Sequence, residues 1–209
     1  MPKILTEDDI ADFRAELCRV ATERFAKHGY DGVTMRQLAD VLGCSPKTPY
    51  RYFKDKADIL ATVRAAAFGR FADALEAAAA AGGGPAERSR RVGRAYVAFA
   101  LANPAGYRIM FDINGPEHIE HADLKVQAAR ARRFITRQAE DLAAAGLIDA
   151  DPTLVGWAMW AAVHGMVVLK LAGLWRDAPD FDTLHETTMR LIFEGARAGR
   201  AKGPTARRA

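Results

Sequence analysis

The sequence predicts an all-α fold: an N-terminal three-helix helix-turn-helix domain followed by a larger C-terminal helical domain. Three observations carry this. Apolar residues recur at three- and four-residue spacing over most of the 209 residues. Gly and Pro fall between these stretches rather than inside them. Two short amphipathic segments near the N-terminus are joined through a single glycine turn.

Taken in order, Thr6 reads as an N-cap, with Glu7, Asp8 and Asp9 in a first turn that favours acids. Ile10, Phe13, Leu17, Val20, Ala21 and Phe25 mark one face of this helix, and His28-Gly29 closes it. Thr34 and Gln37 form a capping box for a second helix, whose Met35, Leu38, Ala39 and Leu42 share a face before Gly43 ends it. The next helix admits two frames. Ser45 can be the N-cap with Pro46 first, in which case Pro49 lacks a needed donor and its ring crowds the Ser45 carbonyl. Alternatively Thr48 caps and Pro49 is the first helical residue, which shortens the helix.

Asp55 caps a fourth helix, with Ile59, Leu60, Val63 and Ala67 along one face, which runs to Ala81 and breaks at Gly82-Gly83-Gly84-Pro85. Further helices are expected over 87–102, 104–111, 122–145, 152–174 and 181–199. Their breaks fall at Asn103-Pro104, Asn114-Gly115-Pro116, Gly146 and Asp177-Ala178-Pro179. The expected division is a DNA-reading domain over 1–65, a second domain over 66–200 and a disordered basic tail over 201–209.

The formal net charge of +4 is a tail effect. Arg197, Arg200, Lys202, Arg207 and Arg208 stand without an acid after Ala196, and the rest of the chain sums to −1. Local charge is more telling: between Ser45 and Lys56, the cations Lys47, Arg51, Lys54 and Lys56 face one acid, Asp55. Cys18 and Cys44 lack metal or redox spacing and read as thiols in a reducing, cytoplasmic compartment. The acidic N-terminus has no continuous apolar run of the secretory kind.

The stretch 154–175 is long enough to span a bilayer, but His164 and Lys170 interrupt it. It is read instead as a helix buried in a core and a subunit interface at once, with no membrane partner. No nucleophile elbow, zinc-protease motif, phosphate loop or dinucleotide fingerprint occurs, so neither enzyme activity nor a cofactor is expected. His118 and His121, with Glu117, Glu120 and Asp123, are residue types a divalent metal accepts, yet they read as solvated polar residues after Gly115-Pro116.

The stretch GVTMRQLADVLGCSPKTPYRYFKDKADIL, from Gly32 to Leu60, resembles the TetR family of bacterial regulators, with Tyr50, Phe53 and Lys56 at the family's spacing. A second run, Trp160-Ala161-Ala162-Val163-His164-Gly165, resembles a subgroup marked by Trp-x-x-x-His-Gly. The resemblance implies a dimer that binds double-stranded DNA and assigns Tyr50 and Lys56 to phosphates. From residue type and position, Lys47, Thr48 and Arg51 would meet base edges, with Arg36 a second candidate and Tyr52 within reach of sugar or base. The capping residues Thr34 and Ser45 complete the expected DNA-facing set. Pro49 departs from the family, where an aliphatic residue is usual, and puts the reach of Lys47 and Thr48 in question.

In the second domain, a mostly apolar cavity is expected to bind a small apolar or aromatic effector whose identity the sequence does not give. Tyr96, Phe99, Tyr107, Met110, Phe111, Trp157, Trp160 and His164 are its candidates, although side chains of these kinds are more often simple core. Homodimerisation is expected through the last two helices, with Val163, Val167, Leu171, Met189, Ile192 and Gly195 facing the partner. The function expected from all this is a repressor released from a palindromic operator by its effector. An effector-independent or architectural DNA binder is the first rival, and an enzyme, which would need a pocket with a strongly perturbed His or carboxylate, is the second.

Overall fold

A computed structural model describes residues 6–111 and 121–197. These are helical, with no strand among them. The helices are α1 (Glu7–His28), α2 (Met35–Val41), α3 (Lys56–Ala80), α4 (Pro85–Ala102) and α5 (Pro104–Met110), followed by α6 (Ala122–Arg132), α7 (Phe134–Ala144), α8 (Pro152–Leu171) and α9 (Phe181–Arg197). A 3-10 turn, Pro49–Arg51, lies between α2 and α3.

The start and stop signals act where local chemistry places them. Thr6 and Asp9 bond reciprocally at the start of α1, and Thr34 and Gln37 do the same for α2. Asp55 accepts the Asp58 N–H at 2.9 Å in the first turn of α3. Gly29 ends α1 at φ +70°, and its N–H returns to the Phe25 carbonyl. Only glycine holds that conformation without Cβ strain.

The packing sorts into two units that do not follow chain order. One gathers residues 6–70 with the described part of Asn103–Ala129; the other gathers Phe71–Ala102 with residues 130–197. In the first, α1 packs on α2 and α5. Leu17, Val20, Ala21 and Phe25 of α1 meet Val33, Met35, Leu38, Phe53, Ile59, Leu60 and Val63, and Ile109 closes this core. In the second, α8 packs on α4, α7 and α9, and α4 also packs on α7. Leu142, Ile148, Val155 and Ala196 centre a smaller core there.

Two expectations are corrected. The single helix over 122–145 is interrupted at Arg133, although no Gly or Pro stands between. Beyond the break, α7 lies close against α8: a Cβ on Gly156 would lie 2.3 Å from the Ile135 carbonyl oxygen. Two residues of the expected dimer face are also corrected. Val163 and Val167 are buried inside the chain, Val167 completely, so neither can meet a partner. The outward side of α8 instead carries Leu154, Trp157, Val168 and Leu169, and α9 presents Leu191.

Helix α8 is the one helix among the described residues that is long and apolar enough to cross a membrane. Its inward side is used in packing, through Val155, Gly156, Val163, Met166 and Val167. Glu117, His118 and Glu120, the basic tail and the break at 114–116 lie outside the described residues.

Candidate nucleic-acid interface

The segment from Gly43 to Phe53 has the second of the two sequence frames. Gly43 turns the chain at φ +63°. A first turn closes through the Thr48 N–H to the Ser45 carbonyl at 2.8 Å. Thr48 then sits at the N-cap of the 3-10 turn with Pro49 first, and the Arg51 N–H returns to Thr48 at 3.0 Å. Proline without a donor forbids the longer frame, and its ring is instead fully buried. The Ser45-capped helix is therefore replaced by two tight turns.

What the segment loses in helical length it regains through side-chain anchors. Phe53 is buried in the first core. The Arg14 guanidinium lies 4.3 Å from the Phe53 ring centre and donates to the Tyr52 carbonyl. The Tyr52 ring stacks at a tilt on Phe13, 4.5 Å between centres. On the other flank, Lys56 Nζ donates to the Tyr30 carbonyl at 2.8 Å and stands 3.9 Å over the Tyr30 ring. Burial pushes the Tyr30 phenol above its ordinary pKa.

The predicted DNA-facing residues thus fall into two groups. Arg36, Lys47, Tyr50 and Arg51 are exposed, and their side chains have no partner among the described residues. Lys54, absent from the predicted set although it stands in the same basic run, shares this state: only its backbone N–H is used, by Asp58. Thr34, Ser45, Thr48, Tyr52 and Lys56 have structural tasks. Thr34 caps α2, Ser45 accepts the Thr48 amide, and Thr48 heads the turn, while Tyr52 and Lys56 pack on α1 and Tyr30. Arg14 was not legible as part of this assembly, because only the fold brings residue 14 to residue 53.

Two family models match the chain. Residues 17–63 match the bacterial regulatory proteins of the tetR family, and residues 89–192 match the tetracyclin repressor-like C-terminal domain. The chain belongs to the TetR family. It is a DNA-binding transcriptional regulator with a helix-turn-helix domain.

Solved structures agree in fold. A protein of unknown function from Rhodococcus sp. RHA1 is 26% identical, with 88% of this chain and 95% of that one covered and a TM-score of 0.73. A TetR/AcrR-family regulator from Thermobifida fusca is 26% identical over 89% and 99%, with a TM-score of 0.60. The TetR-family regulator PfmR from Thermus thermophilus is 21% identical over 85% and 97%, with a TM-score of 0.69. No curated protein matches the chain.

The effector candidates of this TetR-family chain divide between the packing units. In the second unit, the Tyr96 hydroxyl lies 3.2 Å from His164 Nδ1, and the Trp160 ring stacks on His164 at 5.1 Å. Phe71 contacts both Tyr96 and Phe99 edge-on or tilted. Burial holds His164 below the ordinary histidine pKa, so this cluster is neutral at pH 7. Trp157 is 47% exposed and meets the Trp160 ring edge-on at 5.4 Å. Tyr107, Met110 and Phe111 belong to the first unit; Tyr107 and Met110 are buried there, and Phe111 packs on Phe68.

Proposed function

We propose that this regulator is a cytoplasmic homodimeric repressor, released from a palindromic operator when a small apolar or aromatic molecule binds its C-terminal region. The observation that carries the DNA-reading half is the exposed, unspent set Arg36, Lys47, Tyr50, Arg51 and Lys54 around a segment anchored by Phe53 and Arg14. Cations and hydroxyls that the chain does not use, held on a fixed backbone, suit phosphate and base-edge contacts. Thr34, Ser45, Thr48, Tyr52 and Lys56 support this surface, and Lys56 retains further N–H donors for a phosphate.

On this reading residues 1–65 read DNA, residues 66–200 sense and dimerise, and the last nine residues are a basic tail. The outward apolar side of α8, with Leu154, Trp157, Val168 and Leu169, and Leu191 of α9 meet their copies across a two-fold axis. The Tyr96, Phe99, Trp160 and His164 cluster contacts the effector, and the Trp-x-x-x-His-Gly stretch marks a subgroup that shares it. Helix α3 is an unbroken rod from Lys56 to Ala80, and Lys56 stands beside Tyr30 at its start. A tilt of that rod changes half-site spacing, and coupling of about 1–3 kcal/mol alters affinity roughly 5–150-fold.

Footprinting on the DNA upstream of its own coding sequence, with and without candidate effectors, tests the reading. A protected palindrome that an effector exposes supports it. Protein indifferent to sequence at moderate salt overturns it. Trp160→Ala should remove the response and leave effector-free binding nearly intact.

A further inference from the structure

A cavity of about 490 Å³ opens in the unit built from α4, α7, α8 and α9, and its lining does not include the Tyr96–His164 cluster. Its body is apolar, lined by Leu142, Met159, Met189 and Phe193. The side chain of His185 forms part of the wall and is 8% exposed. Its Nε2 is buried without a hydrogen-bond partner. An orphaned ring nitrogen inside a protein is costly, and native interiors seldom leave one unsatisfied. Gly93 stands against this edge: a Cβ there would lie 3.8 Å from Nε2, in ordinary contact with the ring.

The mouth is cationic. Arg90 lines it, is exposed and has no partner among the described residues. Arg94 is shared with Glu186 at 3.7 Å, a loose pair between two exposed groups that a competing anion can displace. Glu186 is the one acid on the lining. We propose that this cavity binds a small organic carboxylate with an apolar body, the carboxylate accepting from His185 Nε2–H and from Arg94 and Arg90 while its chain lies on Met159, Met189 and Phe193. The volume falls within the range of small-molecule sites, and the lining sets an apolar floor beside His185, two threonines and three arginines, Arg90, Arg94 and Arg190. The site stands whether or not the protein is a repressor.

Titration calorimetry with decanoate and decanol on the full chain tests this, together with nitrogen NMR of the histidine side chains. Decanoate should bind once per chain, shift the His185 Nε2 resonance and bind about ten-fold or more tightly than decanol. Arg90→Gln with Arg94→Gln should weaken it by about ten-fold or more, being exposed changes that leave the fold intact. Gly93→Ala, an ordinary contact that also favours the helix, should block it without lowering thermal stability. Trp160→Ala should leave it unchanged. Absence of saturable binding, equal affinity for decanol, or loss in Trp160→Ala with retention in the arginine variants would each overturn the proposal.

Discussion

The Arg14 guanidinium lies 4.3 Å above the Phe53 ring and caps the Tyr52 carbonyl, tying the end of the DNA-reading segment to α1 across 39 positions of sequence. Arg14 is exposed on its other side, so its role is to hold backbone rather than to fill the core.

Arg14→Ala should therefore cost about 0.5–1 kcal/mol of stability, the range of an exposed cation–π contact. It should weaken DNA binding by more than that stability loss explains, since the segment loses its fixed position. Urea unfolding together with fluorescence anisotropy on the footprinted duplex measures both. Undiminished DNA affinity would remove Arg14 from the assembly.

Base-facing and phosphate-facing residues should separate by their pattern of loss. Arg36→Ala or Lys47→Ala should cost about 1–3 kcal/mol at one base position and relax preference there. Tyr50→Phe and Lys54→Ala should weaken all sequences alike, and Lys54→Ala should reduce the salt slope by about 0.9. Competition binding against single-base operator variants at several salt concentrations distinguishes the two groups.

Charges on α8 should have opposite consequences on its two sides. Val167→Asp places a carboxylate at a fully buried position and should prevent stable folding. Leu154→Asp with Val168→Asp changes exposed positions and should yield a folded monomer that loses operator affinity. Sedimentation and circular dichroism of the two variants check this. A Leu154→Asp/Val168→Asp protein that stays dimeric would move the interface elsewhere.

Stability should fall as pH drops through the histidine range. Burial lowers the pKa of His164 and of His185 from 6.5; for His185, Asp182 and Glu186 oppose the shift and Arg94 adds to it. The unfolded chain then binds more protons than the folded one below about pH 6.5, so stability is full above that pH and is lost on acidification. Melting temperatures should be flat from pH 8 to 7 and decline toward pH 5, and His164→Gln with His185→Gln should flatten the decline. The lowered Glu76, held by its hydrogen bond from Arg130, acts in a separate window below 4.5.

Gly156→Ala should be among the most damaging single changes, because the new methyl would meet the backbone carbonyl of Ile135 rather than a side chain able to move. Overpacking of this kind costs about 1–3 kcal/mol. Chemical denaturation gives the value, and a loss under 0.5 kcal/mol would mean that α7 and α8 part easily.

Residues that act on their near neighbours were readable from sequence. Thr6 as a cap, Thr34 with Gln37, Asp55, Gly29 and Gly43 do their work within one turn, and each stands where spacing put it. Residues whose partner lies far along the chain were not. Helix α8 is apolar on all sides, so periodicity gives no phase, and Val163 and Val167 could not be assigned inward until α7 stood against Gly156. Lys56 reads from sequence as a free cation; its place over Tyr30 depends on the end of α1 folding back beside the start of α3. In the DNA-facing set, residue type was legible, but which members were already engaged was not.

The paired prolines, Pro46 and Pro49, also bear on how the tip attracts a charged backbone. An ordinary helix entering a groove offers several unpaired amides at its first turn, and these draw phosphate irrespective of side chains. Here two amides are missing outright, and those of Thr48, Arg51, Tyr52 and Phe53 are spent on internal carbonyls. The main chain of this tip is thus nearly mute toward an anion. The electrostatic response of the complex should then report side-chain cations almost alone, which makes this protein a clean system for counting them one substitution at a time.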